Sequence, residues 1–111
     1  TESCLGLFKG KVKRFSGKMK IPHIGWNQVS LTRQHQVFNS LPDNSYFYFV
    51  HSYYADPMDK NLVLALTDYG GQFTSAISSG NLVAVQFHPE KSGSIGLDFY
   101  RNFLQFVKAN I

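Results

Sequence analysis

The segment Gln86-Phe87-His88-Pro89-Glu90-Lys91 sets an imidazole and a carboxylate two residues apart at the end of an apolar run. A carboxylate that holds one ring nitrogen as N–H leaves the other nitrogen with its lone pair, ready to take a proton from a thiol or hydroxyl. That is the base-and-orienter half of a nucleophilic triad, whose third member must come from elsewhere. Pro89 fixes its own φ and biases His88 towards an extended conformation, so the backbone presents the two side chains in a set order. On spacing alone, His-x-Glu also describes a surface histidine beside a solvated acid. The elements around the pair therefore decide.

Leu82-Val83-Ala84-Val85-Gln86-Phe87 is apolar almost throughout and reads as a strand buried on both faces, with His88 at its carboxyl end, where open α/β sheets collect functional groups. Upstream, residues 11–15 alternate at period 2, residues 24–31 form a strand weakened by Gly25, and residues 32–39 form a short helix or loop. Leu41 to Ser45 is a turn cluster, and the aromatic run Tyr46 to Tyr54 has strand propensity. Ala55 to Asn61 reads as a turn, Leu62 to Thr67 and Phe73 to Ile77 as strands, and Asp68-Tyr69-Gly70-Gly71 as the hairpin between them. After Phe87 the period changes: Phe99, Phe103, Phe106 and Val107 share one helix face, widened by Tyr100 and Leu104. Ser94 is the expected N-cap, Asp98 lies near the first turn and Lys108 in the last. About six strands and one helix cannot cover both faces of a sheet with a doubly apolar strand. The inventory predicts the end of a larger α/β domain whose remainder lies before Thr1.

The 111 residues are 43% hydrophobic, 15% aromatic and 16% charged, which fits one domain or part of one and excludes a disordered tail. No apolar window approaches a membrane span, and the first residues lack the features of a secretory signal. One cysteine excludes an internal disulfide framework and a multi-cysteine zinc site, and fits a reducing compartment. The net charge of +4 is concentrated in Lys9, Lys11, Lys13, Arg14, Lys18 and Lys20. Without interleaved exposed aromatics, this stretch reads as the solvated face of a strand rather than a nucleic-acid or membrane surface.

The hexapeptide at His88 resembles the His-Pro-Glu signature of class I (triad-type) glutamine amidotransferases. Leu5-Gly6-Leu7 with the lysine-rich strand after it, Pro22-His23-Ile24-Gly25-Trp26-Asn27, Tyr48-Phe49-Val50-His51-Ser52-Tyr53 and the tail from Lys91 to Leu104 narrow the resemblance to the glutaminase subunits of imidazole glycerol phosphate synthase. The likeness runs in order along essentially the whole chain. His-Pro-Glu is shared by many amidotransferases, whereas Pro-His-x-Gly-Trp-Asn is far more selective.

The resemblance implies an α/β fold, here the C-terminal part of a three-layer (flavodoxin-like, Rossmann-like) domain that is strand-rich with one C-terminal helix. It implies that His88 is the general base and Glu90 its orienter. Ser52 and Tyr53 match positions whose backbone helps hold the α-carboxylate and amine of glutamine. Trp26 and Asn27 match the synthase-facing surface, Tyr48 the mouth of the ammonia route, and Lys91 a lysine that pairs with an acidic residue of the synthase. For Ser52 and Tyr53 a plain strand end, for Trp26 and Tyr48 ordinary sheet packing, and for Lys91 an idle surface charge remain open. His51 reads as a structural, hydrogen-bonded histidine, and His23 and His35 receive no role. Neither metal nor cofactor is implied. The implied setting is a cytoplasmic heterodimer with a cyclase (synthase) subunit, acting on glutamine in histidine biosynthesis, without nucleic acid or membrane.

The family's nucleophile is a cysteine in a strand-to-helix elbow. Cys4 does not fit: only three residues precede it, and no helix follows. Aligned on Leu5-Gly6-Leu7, it falls in the connector after the elbow helix and reads as a partly exposed, unpaired thiol. The expectation is a glutaminase portion that lacks the nucleophile-bearing half of the domain and is inactive and poorly stable alone. The alternatives are an amidotransferase serving another synthase (anthranilate or GMP) and a non-catalytic, amidotransferase-like docking module.

Overall fold

The structure is a computed structural model, which describes residues 2–3, 9–15, 21–80 and 82–109. Cys4, Leu5-Gly6-Leu7, Lys18 and Lys20 lie outside the described residues.

Eight strands and one α-helix are described. A three-stranded antiparallel sheet has the order β1 (Glu2–Ser3), β2 (Lys9–Arg14), β5 (Tyr53–Pro57). A five-stranded sheet has the order β4 (Ser45–His51), β3 (His23–Leu31), β6 (Val63–Asp68), β7 (Gln72–Ser79), β8 (Leu82–Val85), with every described pairing antiparallel. The larger sheet curls. Past β8, Phe87 bridges back to Phe49 of β4, at the far edge of the strand order. Helix α1 (Gly93–Ala109) packs on β4 and on the 3-10 turns Gln36–Phe38 and Pro89–Lys91. The strand-rich architecture with one C-terminal helix is the expected one.

Aromatic rings fill the core. Phe47 and Phe49, two apart on β4, are essentially inaccessible. Phe47 meets Phe87 at a centroid distance of 4.2 Å, and Phe38, Phe87 and Phe99 pack mutually around it. Phe49 also meets Phe73, which in turn meets Phe15, just past β2, and Tyr54 of β5. Burying rings of this size is the dominant favourable contribution to such a core.

Several expectations change. The aromatic run 46–54 is two strands, broken at Ser52. β4 pairs with β3 in one sheet and β5 with β2 in the other. Ala55-Asp56-Pro57 is strand rather than turn. Pro57 is tolerated because β5 is an edge and Pro57 its last residue. The turn moves to Asp59, whose side chain accepts from the N–H of Asn61. β8 is half-buried along its length because it is an edge strand, whereas β7 is buried from Phe73 to Ser78. Val83 and Val85 of β8 line a shallow apolar groove together with Pro89, Phe99, Tyr100 and Phe103.

Helix α1 begins at Gly93, so Ser94 lies inside it and is not the N-cap. Asp98 falls beyond the first turn and pairs with Arg101 at 3.3 Å. Phe99 and Phe106 are buried as expected, but Tyr100 and Leu104 are exposed and do not widen the buried stripe. Lys108 occupies the last turn. In the basic segment, Lys13 and Arg14 are exposed, and Lys13 pairs with Asp56 at 2.9 Å. Residues 32–39 contain the single 3-10 turn Gln36–Phe38, capped by the His35 ring nitrogen.

Candidate active site

His88 leaves the bridge at Phe87 in an extended conformation (φ −107°, ψ 95°), as its neighbour Pro89 requires. The chain then tightens into the 3-10 turn Pro89–Lys91. In a continued strand, residues two apart would stand about 6–7 Å from each other. The turn instead brings Glu90 Oε2 to 3.0 Å from His88 Nδ1. A carboxylate accepts, so Nδ1 carries the proton and Nε2 keeps its lone pair. Both side chains are accessible, at 37% and 50% exposure. The hydrogen bond from His88 holds the Glu90 carboxyl below the usual carboxylate range, assisted by Glu90's own backbone N–H.

The sequence does not show what fixes this turn. His88 N–H donates to the Tyr48 carbonyl at 2.8 Å. The buried hydroxyl of Ser92 accepts from Tyr48 N–H at 3.0 Å and donates to the His88 carbonyl at 2.6 Å. Ser92 thus closes a clamp between β4 and the histidine. Gly96, on the first turn of α1, lies so close to the Pro89 carbonyl that a Cβ there would collide with it. The helix can approach the turn only because that position has no side chain. Ser92 and Gly96 give no signal in the sequence, because their importance depends on what packs over them.

The other expected positions divide between two faces. Trp26 is directly opposite Tyr48 in the β3–β4 register, and their rings meet edge to face at 5.8 Å. Trp26 is 54% exposed, so it is not core packing. Ile24, Tyr46 and Val50 are exposed on the same pair of strands. Asn27, next in sequence, turns the other way: its amide donates to the Asp68 carbonyl at 2.9 Å and lies 3.3 Å from His23 Nε2. Ser52 occupies the break between β4 and β5, where its carbonyl accepts from Phe15 N–H at 3.1 Å. Tyr53 is exposed, and its carbonyl accepts from His51 Nδ1 at 2.9 Å. Lys91 is exposed beside Glu90.

Three histidines given no catalytic part prove to be tied in. His35 caps the 3-10 turn and reaches Ser78 Oγ at 3.2 Å. His23 and His51 are direct register partners joined at 3.1 Å. Burial, and then the neighbouring His51, push His23 down to about 4. Burial is also the main cause that lowers His51. Among the described residues, no group of His, Cys, Asp or Glu is placed to hold a metal ion. No described helix is long and apolar enough to cross a membrane.

A sequence model of the class-I glutamine amidotransferases matches residues 4–106. The chain belongs to that family. Among similar curated proteins, the imidazole glycerol phosphate synthase subunit HisH of Dehalococcoides mccartyi (strain CBDB1) is 52% identical over 104 residues, covering 94% of this chain and 51% of the relative. The subunit of the same name from Methanocaldococcus jannaschii is 46% identical over 103 residues, covering 93% of this chain and 52% of the relative. The chain thus spans about half the length of these relatives. A crystal structure assigned to a GMP synthase subunit of Thermoplasma acidophilum superposes with a TM-score of 0.71 at 22% identity, covering 90% of this chain and 49% of that one. That likeness speaks for the class I amidotransferase fold alone.

Proposed function

We propose that this chain is the C-terminal portion of the glutaminase subunit of an imidazole glycerol phosphate synthase, and that it supplies the proton-handling half of the site. The observation that carries the mechanism is the 3.0 Å contact between His88 Nδ1 and Glu90. The likeness to HisH at 46–52% identity supports the choice of synthase. The looser likeness to a GMP synthase subunit does not compete with it.

In this reading a cysteine from the other half of the domain faces His88 Nε2. The imidazole takes the thiol proton, and the thiolate attacks the side-chain carboxamide of glutamine. His88 returns the proton to the leaving nitrogen, so ammonia departs and a glutamyl thioester remains. Water then gives its proton to Nε2 and adds to the thioester. Glutamate leaves, and the thiol is restored as the tetrahedral adduct collapses. Glu90 keeps the proton on Nδ1 and stabilises the imidazolium in between. The Ser52–Tyr53 backbone receives the α-carboxylate and ammonium of glutamine. Ammonia passes by Tyr48 to a cyclase partner, with which the subunit forms a heterodimer in the cytoplasm. That partner docks on the face carrying Trp26, with Lys91 at its margin, while the Asn27 side chain, turned to the opposite face, is set apart from it. The exposure of Ile24, Trp26, Tyr46 and Val50 together on two strands supports this assignment, because large apolar side chains left in water mark association surfaces. The 111-residue chain alone, whose single thiol, Cys4, does not fit the nucleophile elbow, hydrolyses no glutamine.

The test is His88→Ala in the complete subunit bound to its synthase. Glutamine hydrolysis falls by about three orders of magnitude or more, while synthesis from added ammonia continues. Unchanged hydrolysis removes the assignment.

A further inference from the structure

The buried His23 and the half-buried His51 form a chain whose hydrogen-bond directions follow from the carbonyl at its end. The Tyr53 carbonyl can only accept, so the proton of a neutral His51 is on Nδ1, 2.9 Å away. Its Nε2 must then accept, which places a proton on His23 Nδ1 at 3.1 Å. His23 Nε2 accepts in turn from the Asn27 amide at 3.3 Å. The second amide hydrogen of Asn27 goes to the Asp68 carbonyl, and its oxygen accepts from Gln28 N–H at 2.7 Å. These bonds run in one direction, from β3 through β4 to the first residue of β5.

The chain is held rigidly. His23 is 3% exposed and lies between the faces of Tyr69 and Phe49, at 3.9 and 5.0 Å. His51 meets Phe15 and Phe73 at 5.0 and 5.1 Å. Gln86 and His88 face His51 from the far side, the amide favouring its protonation and the second imidazole opposing it. The Asp68 carboxylate is turned to Gly71 N–H. Among the described residues, no acidic side chain is bonded to either ring. The chain leads from the buried His23 through the half-buried His51 to the break at Ser52–Tyr53, where Tyr53 is exposed. A strand break at the surface ordinarily leaves its carbonyls to water. Here Phe15 N–H takes that of Ser52 and His51 that of Tyr53.

We propose that Asn27, His23 and His51 are positioning residues for glutamine: their chain fixes the Ser52–Tyr53 backbone so that the second lone pair of the Tyr53 carbonyl meets the substrate's α-ammonium. This rests on the glutaminase reading above. Protonation of His51 would keep its Nδ1–H on the Tyr53 carbonyl, but it would set an N–H on Nε2 against the N–H of His23, two donors face to face, and place a positive charge beside the carbonyl that receives the substrate's α-ammonium. Substrate binding therefore weakens in acid, whereas the chemistry at His88 is affected separately.

The experiment uses the complete subunit with its synthase and measures kcat and KM for glutamine from pH 5 to 8. His51→Leu raises KM about tenfold, as expected for one lost hydrogen bond, and leaves kcat within about threefold. His51→Asn, whose amide stands where Nδ1 stood, restores most of the affinity and abolishes the rise of KM in acid. Nitrogen-15 spectra of the wild-type imidazoles show both His23 and His51 protonated at Nδ1. A wild-type KM that is flat with pH, a KM for folded His51→Leu within twofold of wild type, or a proton on His51 Nε2 overturns the inference. The spectra decide the matter if His51→Leu does not fold. If His88→Ala abolishes hydrolysis while these results fail, the positioning role falls alone. If His88→Ala has no effect, the site reading falls and takes this inference with it.

Discussion

Two side-chain pairs, His88 with Glu90 and His23 with His51, adjoin β4, and they are held in opposite ways. His88 and Glu90 face solvent, and neither ring nor carboxylate is gripped by packing. Their 3.0 Å contact is set by backbone: the bridge at Phe87, the Ser92 clamp and the helix seated over Gly96. His23 and His51 pack against the aromatic core, and ring contacts together with the Tyr53 carbonyl orient them. The electrostatic consequences follow the environments. The exposed hydrogen bond from His88 holds the Glu90 carboxyl below the usual carboxylate range. Burial lowers both members of the other pair, His23 to about 4. A proton carrier needs access and a partner charge, whereas a rigid strut needs burial and fixed tautomers.

The comparison breaks first at Glu90. Glu90→Gln keeps the shape but removes the charge that retains the proton on Nδ1. Glutaminase kcat falls by about 10- to 100-fold, less than for a buried orienter because water screens this one. A kcat within twofold of wild type would reduce Glu90 to a solvated neighbour. Gly96→Ala attacks the same turn through packing. The new methyl group must displace the Pro89 carbonyl, at a cost of about 1–3 kcal/mol in denaturant unfolding, with a matching loss of kcat. Ser92→Ala leaves Tyr48 N–H without its buried acceptor and costs about 1–2 kcal/mol. Ammonia-dependent synthesis by the complex stays intact.

The buried pair is tested by pH. The folded-state value of His23 lies below its unfolded value near 6.5, so the unfolded chain binds the extra proton between those limits. Stability is complete above about pH 6.5 and declines as pH falls towards 4. Thermal melts across that window show an acid limb, which His23→Gln flattens. Glu90 acts in the same sense at lower pH: its depressed carboxyl stabilises the fold above the usual carboxylate value and ceases to do so as it protonates.

Much of the site is legible in sequence because it is local. His-Pro-Glu at the end of an apolar run announces an oriented imidazole, and Phe99, Phe103 and Phe106 announce the helix that follows. The parts that were not legible are non-local. A nine-residue aromatic run carries no mark showing that Ser52 divides it between two sheets. Ser92 and Gly96 look like ordinary linker and helix residues until the turn is placed over them. His23 and His51, 28 residues apart, meet only through the β3–β4 register. The half-burial of β8 shows the opposite failure: an apolar run reports what a strand can bury, not what is present to cover it.

The central claim is that the imidazole of His88, steadied by Glu90, activates a thiol contributed by another part of the protein. The most direct measurement is the rate at which iodoacetamide alkylates that cysteine in the complete subunit, followed from pH 5 to 9 with and without His88→Ala. The account predicts rapid alkylation already near pH 6–7, shifted in His88→Ala to the profile of an ordinary thiol near 8.5. Identical profiles in the two proteins would contradict it.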